Sequence, residues 1–119
     1  MKNLFLTLSI LLVANAYAQD SNMKKIIRLA EKGDTQAQIE LADAYFNGKG
    51  GLKRSFQDAI EWLEKAAESG DTNAQYQLAQ CYMEGKGIAK SEEKGVEWLT
   101  KVAEKGNAEA QRQLALCYR

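Results

Sequence analysis

The chain has 119 residues, with 16 basic and 16 acidic side chains, two cysteines, no histidine and no proline. That length suits one small domain, and the lack of histidine removes the commonest general base and metal ligand. Balanced charge argues against a nucleic-acid binder or a polybasic membrane-surface protein.

The chain opens on Met1-Lys2-Asn3, followed by a ten-residue apolar run from Leu4 to Val13. Ala16-Tyr17-Ala18 then gives a small-x-small site, completing the three-part pattern of a secretory signal peptide with cleavage expected after Ala18. A spanning helix needs roughly 20 apolar residues, so this run is too short to anchor the chain. No cysteine stands at the cleavage site to carry a lipid. The mature chain, Gln19–Arg119, loses Lys2 and has 15 basic against 16 acidic residues. The expected destination is the periplasm or the exterior, with no stable membrane insertion.

The remainder repeats itself. Segments beginning Gly33-Asp34-Thr35, Gly70-Asp71-Thr72 and Gly106-Asn107-Ala108 align at offsets of 37 and then 36. Glu61-Trp62-Leu63-Glu64-Lys65-Ala66-Ala67-Glu68 matches the segment Glu97–Glu104 at an offset of 36, and Gly48-Lys49-Gly50 matches Gly85-Lys86-Gly87. The additional residue of the first linker lies around Gly51. Such periods mark stacked supersecondary units.

In chain order, the pattern predicts a leading helix near 21–32 that caps the stack, carrying Met23, Ile26, Ile27, Leu29 and Ala30. Helix pairs follow at 34–48 with 55–69 and at 71–85 with 91–105, and half a pair at 107–119. In the first of these, Ala37, Leu41, Ala44, Tyr45 and Gly48 form one stripe, and Gln36, Glu40, Asp43 and Asn47 lie opposite. Asp34, Asp71, Asn107, Ser55 and Ser91 stand at N-cap positions, with Ser55 and Asp58 spaced as a capping box. The preceding glycines suit left-handed helix ends. The result is an all-α, antiparallel α-hairpin solenoid. Its divisions are 1–18 signal peptide, 19–33 capping helix and 34–119 repeats (34–70, 71–106 and a partial 107–119).

The pattern carried by Ala37, Leu41, Tyr45, Gly48 and Gly50, then Trp62, Ala66, Ala67 and Gly70, resembles the Sel1-like repeat, a relative of the tetratricopeptide repeat. The second copy is Ala74, Leu78, Tyr82, Gly85 and Gly87, then Trp98, Val102, Ala103 and Gly106. Ala42, Ala79 and Ala115 replace the family's usual glycine, and Gly95 stands where the first repeat has Ala59. The resemblance implies a right-handed superhelix whose first helices line a concave groove for peptides or protein segments. Mapped by the offset, that face carries Gln36, Glu40, Asp43 and Asn47, then Asn73, Gln77, Gln80 and Glu84, then Glu109, Gln113 and Leu116. Stacked amides both donate to and accept from a peptide backbone. The expected function is an exported interaction or scaffold module, not an enzyme, with no cofactor.

Trp62, Trp98, Tyr45, Tyr82, Leu41, Leu78, Leu63 and Leu99 are expected in the core, because a lone hairpin leaves its apolar stripe uncovered. Glu61 with Lys65 and Glu97 with Lys101 read as solvated i,i+4 pairs. Cys81 and Cys117 occupy equivalent positions on helices whose axes lie about 8–10 Å apart. A disulfide wants Cα atoms within roughly 7 Å, so buried free thiols are expected over a bridge between the two, with intermolecular pairing through Cys117 left open.

Two further readings stand beside the binding module. Some cysteine-rich proteins of this type are described as β-lactamases or penicillin binders, but they carry a cysteine pair within each repeat. Ser21-Asn22-Met23-Lys24 and Ser91-Glu92-Glu93-Lys94 fit Ser-x-x-Lys, yet neither Ser-Asp-Asn nor Lys-Thr-Gly occurs to complete the site. Self-assembly is the other reading, since a last helix carrying Leu114, Cys117 and Tyr118 has no following helix to cover it. That face would serve a homo-oligomer or belong to a longer repeat array.

Overall fold

The computed structural model describes residues 21–118. The expected leader and its cleavage site lie outside the described residues. Helix α1 covers residues 21–31. It is followed by α2 (Thr35–Asn47), α3 (Phe56–Glu68), α4 (Thr72–Glu84), α5 (Glu92–Glu104) and α6 (Ala108–Cys117). No strand occurs among the described residues.

The helix starts follow from the capping residues. The side chains of Asp34, Asp71 and Asn107 accept from the amides of Ala37, Ala74 and Ala110 at 2.8, 2.8 and 2.9 Å. Ser55 and Ser91 accept from Asp58 N and Lys94 N at 3.2 Å. Each cap satisfies an amide that the helix itself leaves without a partner. At the other end, α2 and α4 stop at Gly48 and Gly85, both left-handed at φ 65° and 70°. Every expected helix is present, with limits inside those read from the repeat pattern.

The chain stacks as a solenoid of antiparallel hairpins. Helix α2 packs on α3, α3 on α4, α4 on α5 and α5 on α6. Leu41, Leu63, Leu78 and Leu99 are fully buried, one per helix from α2 to α5. Alanines such as Ala59, Ala66, Ala74 and Ala79 fill the space between them and let the helices approach closely.

Three expectations change. Tyr82 is buried, but Trp62, Trp98 and Tyr45 are half-buried, and the two indoles sit at seams between core clusters. Lys65 and Lys101 place their ammonium groups 4.4 and 4.5 Å from the Trp62 and Trp98 ring centres. Each lysine thereby covers the solvent side of an indole three residues earlier on its own helix, in place of a partnership with Glu61 or Glu97. Leu114 is half-buried against Leu99, Val102 and Ala110, whereas Leu116 and Tyr118 are 54% and 74% exposed.

A recurrent glutamine joins the repeats. Gln38, Gln75 and Gln111 each donate from the side-chain amide to Ala30 O, Ala67 O and Ala103 O, all at 3.1 Å. These acceptors lie in the last turns of the preceding helices, where carbonyls lack an intrahelical donor. Gln38 and Gln75 are buried, so their amides must be paired. Among the described residues no buried side-chain N or O atom lacks a partner.

Both cysteines are free, as the inter-helix spacing suggests. Cys81 is buried, but Cys117 is exposed on α6, which corrects the expectation that both thiols are buried. Burial pushes the Cys81 thiol up from its ordinary value, which disfavours the reactive thiolate. Iodoacetamide at pH 8 should therefore alkylate Cys117 quickly and Cys81 only slowly, with both reacting in denaturant. Time-resolved mass spectrometry reads this directly, and equal native rates would contradict the burial of Cys81.

Candidate functional site

The first helices of successive hairpins expose a polar face because their small and apolar residues turn inward. On α2, Gln36, Glu40, Asp43 and Asn47 are exposed; on α4, Asn73, Gln77 and Glu84 are exposed and Gln80 is half-buried. Glu109 is exposed and Gln113 half-buried on α6.

Five of these ten side chains meet around one open cavity of about 280 Å³, namely Asp43, Asn47, Gln77, Gln80 and Glu84. Phe46, Tyr76, Cys81 and Lys86 complete its lining. Gln36, Glu40 and Asn73 lie outside this lining, nearer the N-terminal ends of α2 and α4.

Glu109 and Gln113 belong to a network at the α4–α6 junction. Gln80 Nε2 donates to Gln113 Oε1 at 2.6 Å, and Gln113 Nε2 donates to Tyr76 Oη at 2.6 Å and to Glu109 Oε1 at 3.2 Å. Hydrogen bonds from Arg112 and Gln113 hold the Glu109 carboxyl below the usual carboxylate range. Gln80 and Gln113 are thus partly engaged with each other, and the α2–α4 side remains open.

The two repeats differ at the cavity rim in a chemically consistent way. In the first, Lys49 Nζ pairs with Asp43 Oδ2 at 3.1 Å, and Asn47 Nδ2 donates to Asp43 Oδ1 at 2.9 Å. In the second, Gln80 takes the place of Asp43, so the equivalent lysine, Lys86, has no carboxylate there. Its ammonium lies instead 5.1 Å from the Phe46 ring centre and 5.4 Å from that of Phe56. The two phenylalanine rings are 5.9 Å apart. Helices α2 and α4 together contain Glu40, Asp43 and Glu84 and no lysine or arginine.

Phe46, Tyr76 and Lys86 escape a reading based on the shared repeat. Phe46 aligns with Met83 and Tyr76 with Ile39, so their signal is departure from the pattern, not conformity to it. Ser91 Oγ serves as the N-cap of α5, which accounts for its place in a Ser-x-x-Lys sequence. Among the described residues no group of three or more histidine, cysteine, aspartate or glutamate side chains is placed to hold a metal ion. What the cavity offers is hydrogen-bond donors and acceptors beside two aromatic rings, a combination suited to recognition.

Comparison with known proteins bears on the same residues. The Sel1 repeat family matches at residues 35–71, 72–107 and 108–119. No curated protein matches the chain. Among solved structures, a Sel1 repeat protein from Oxalobacter formigenes is similar at 33% identity and a TM-score of 0.76, over 82% of this chain and 28% of that one. The protective antigen c5321, present in uropathogenic Escherichia coli strains and displaying an SLR fold, is 32% identical with a TM-score of 0.77. That match covers 84% of this chain and 21% of the antigen. Helicobacter pylori cysteine rich protein B is 25% identical with a TM-score of 0.71, over 77% and 68% of the two chains. The present chain thus spans about a quarter of the length of the first two structures. With repeat matches running through α2 to α6, the chain belongs to the Sel1 repeat family.

Proposed function

We propose that this protein is an exported interaction module that holds an extended segment of a protein partner against the concave face of α2 and α4. Sel1 repeats typically serve as protein–protein interaction modules and are generally non-enzymatic scaffolds. The observation that carries the reading is the open cavity lined by Asp43, Asn47, Gln77, Gln80 and Glu84 together with the rings of Phe46 and Tyr76. An extended backbone presents alternating donors and acceptors; the Gln77 amide matches both, and Asn47, whose Nδ2 is engaged by Asp43, offers its side-chain oxygen as an acceptor. The export component rests on the leader-like sequence pattern of residues 1–18. No helix among the described residues is long and apolar enough to cross a membrane.

The test is a selection of random displayed peptides on the protein, followed by titration calorimetry of the best binder. Replacing both Asn47 and Gln77 by alanine removes two hydrogen-bonding groups from an exposed surface, each worth about 0.5–1.5 kcal/mol. Affinity should fall about tenfold while the helical circular-dichroism signal stays unchanged. Undiminished binding by the double variant would place the partner elsewhere.

A further inference from the structure

The cavity has a feature that backbone capture does not use. Its lining combines two aromatic rings, Phe46 and Tyr76, with two carboxylates, Asp43 and Glu84. One of those rings, Phe46, already has a cation over it, the Lys86 ammonium at 5.1 Å. Lys86 reaches that position on a flexible stem and is exposed. Its counterpart in the first repeat is held by an ion pair, whereas Lys86 has only the rings of Phe46 and Phe56.

We propose that the cavity selects a cationic side chain, arginine or lysine, on the bound segment, and that Lys86 occupies the Phe46 ring until that side chain displaces it. The proposal rests on the reading of the groove as a peptide site and adds what the peptide must carry. Charge complementarity supports it, since the lining holds two carboxylates, Asp43 and Glu84, against a single cation, the Lys86 that the incoming side chain displaces. Of these, Asp43 is paired with Lys49 and with the Asn47 amide, leaving Glu84 as the lining carboxylate best placed in charge terms for an incoming cation. A guanidinium stacks on an aromatic face and donates to carboxylates in its own plane, so arginine satisfies both elements together. An acidic side chain would meet Asp43 and Glu84 and be disfavoured.

Because Lys86 is a competitor in this scheme, its removal has an unusual sign. The test uses NMR titration of the ¹⁵N-labelled protein at low ionic strength with three capped peptides, Ser-Gly-Ser-X-Ser-Gly-Ser, where X is arginine, leucine or glutamate. The arginine peptide should bind most tightly and shift the Asn47 and Gln77 side-chain amides. Lys86→Met, which keeps the stem and removes the charge, should tighten it roughly threefold, the scale of an exposed cation–π contact. Glu84→Gln should weaken it by a similar factor, and added salt should reduce the difference. Tightest binding of the glutamate peptide, or weaker arginine binding in Lys86→Met, would overturn the proposal. Equal binding of all three peptides with shifts at Asn47 and Gln77 would overturn the cation selectivity and leave the groove reading intact. Binding that shifts only residues outside the cavity would overturn both.

Discussion

Truncating Leu78 to alanine is expected to lower unfolding stability by about 3–4 kcal/mol, in the middle of the range for buried leucine truncation. Leu78 is 0% exposed and belongs to a cluster that joins α2, α3 and α4 through Ala42, Ile60, Leu63, Ala66, Ala67, Ala74 and Tyr82. The removed atoms lose their burial, and helices packed on both sides limit how far the cavity closes. In a stack where each hairpin contacts its neighbours, this site also couples the first repeat to the second. Urea unfolding followed by circular dichroism should show a much lower midpoint. The same truncation at Leu29, 38% exposed on α1, should cost under about 1 kcal/mol. Similar costs at the two sites would contradict this assignment of the core.

Gly87→Ala should be nearly as damaging, at roughly 3 kcal/mol, for a different reason. Gly87 has φ +75°, a left-handed conformation that L-residues adopt at a cost. A Cβ there would also lie 2.7 Å from Phe56 Cβ, 2.9 Å from Phe56 O and 3.0 Å from Phe56 C. Two of these three contacts are backbone atoms at the start of α3, which cannot move aside without shifting the helix. Gly70 provides the comparison, since it has φ +100° but nothing within 4 Å of where a Cβ would stand. Gly70→Ala should cost only the conformational strain, about 1 kcal/mol. Equal thermal-unfolding shifts for the two variants would show that the Gly87–Phe56 approach contributes nothing.

The helices were legible because each repeat presents the same local chemistry. A capping Asp, Asn or Ser, an apolar stripe at helical spacing and a closing glycine agree with one another, and repetition makes coincidence implausible. Helix limits at Asp34, Ser55, Asp71, Ser91 and Asn107 followed from side-chain oxygens alone. Burial was harder to read where it depends on neighbours in space. Trp62 carries a strong apolar signal, yet it lies at a seam where Lys65 covers it. Gln75 looks polar and exposed in sequence, but it is buried because the last turn of α3 presents the Ala67 carbonyl to it.

The cavity divides along the same line. Position in the repeat identifies the polar face, so Asp43, Asn47, Gln77, Gln80 and Glu84 could be named from their offsets. The pairing of Gln80 with Gln113 depends on how α4 and α6 approach, and no local rule anticipates it. Lys86 is the clearest case. Its sequence context copies that of Lys49, and the exchange of Asp43 for Gln80 six residues earlier sends it to a ring of the previous repeat. Neutral overall charge likewise conceals the local separation of carboxylates on α2 and α4 from the lysines and arginine of their following loops.

Whether the α2–α4 cavity holds the partner segment can be read residue by residue, by titrating a peptide selected from the random library into ¹⁵N-labelled protein and mapping the NMR shifts. The largest changes should fall on the side-chain amides of Asn47, Gln77 and Gln80 and on the backbone of Phe46, Tyr76 and Lys86. Changes concentrated on the outer faces of α3 and α5, with the cavity residues unmoved, would show that the partner binds elsewhere.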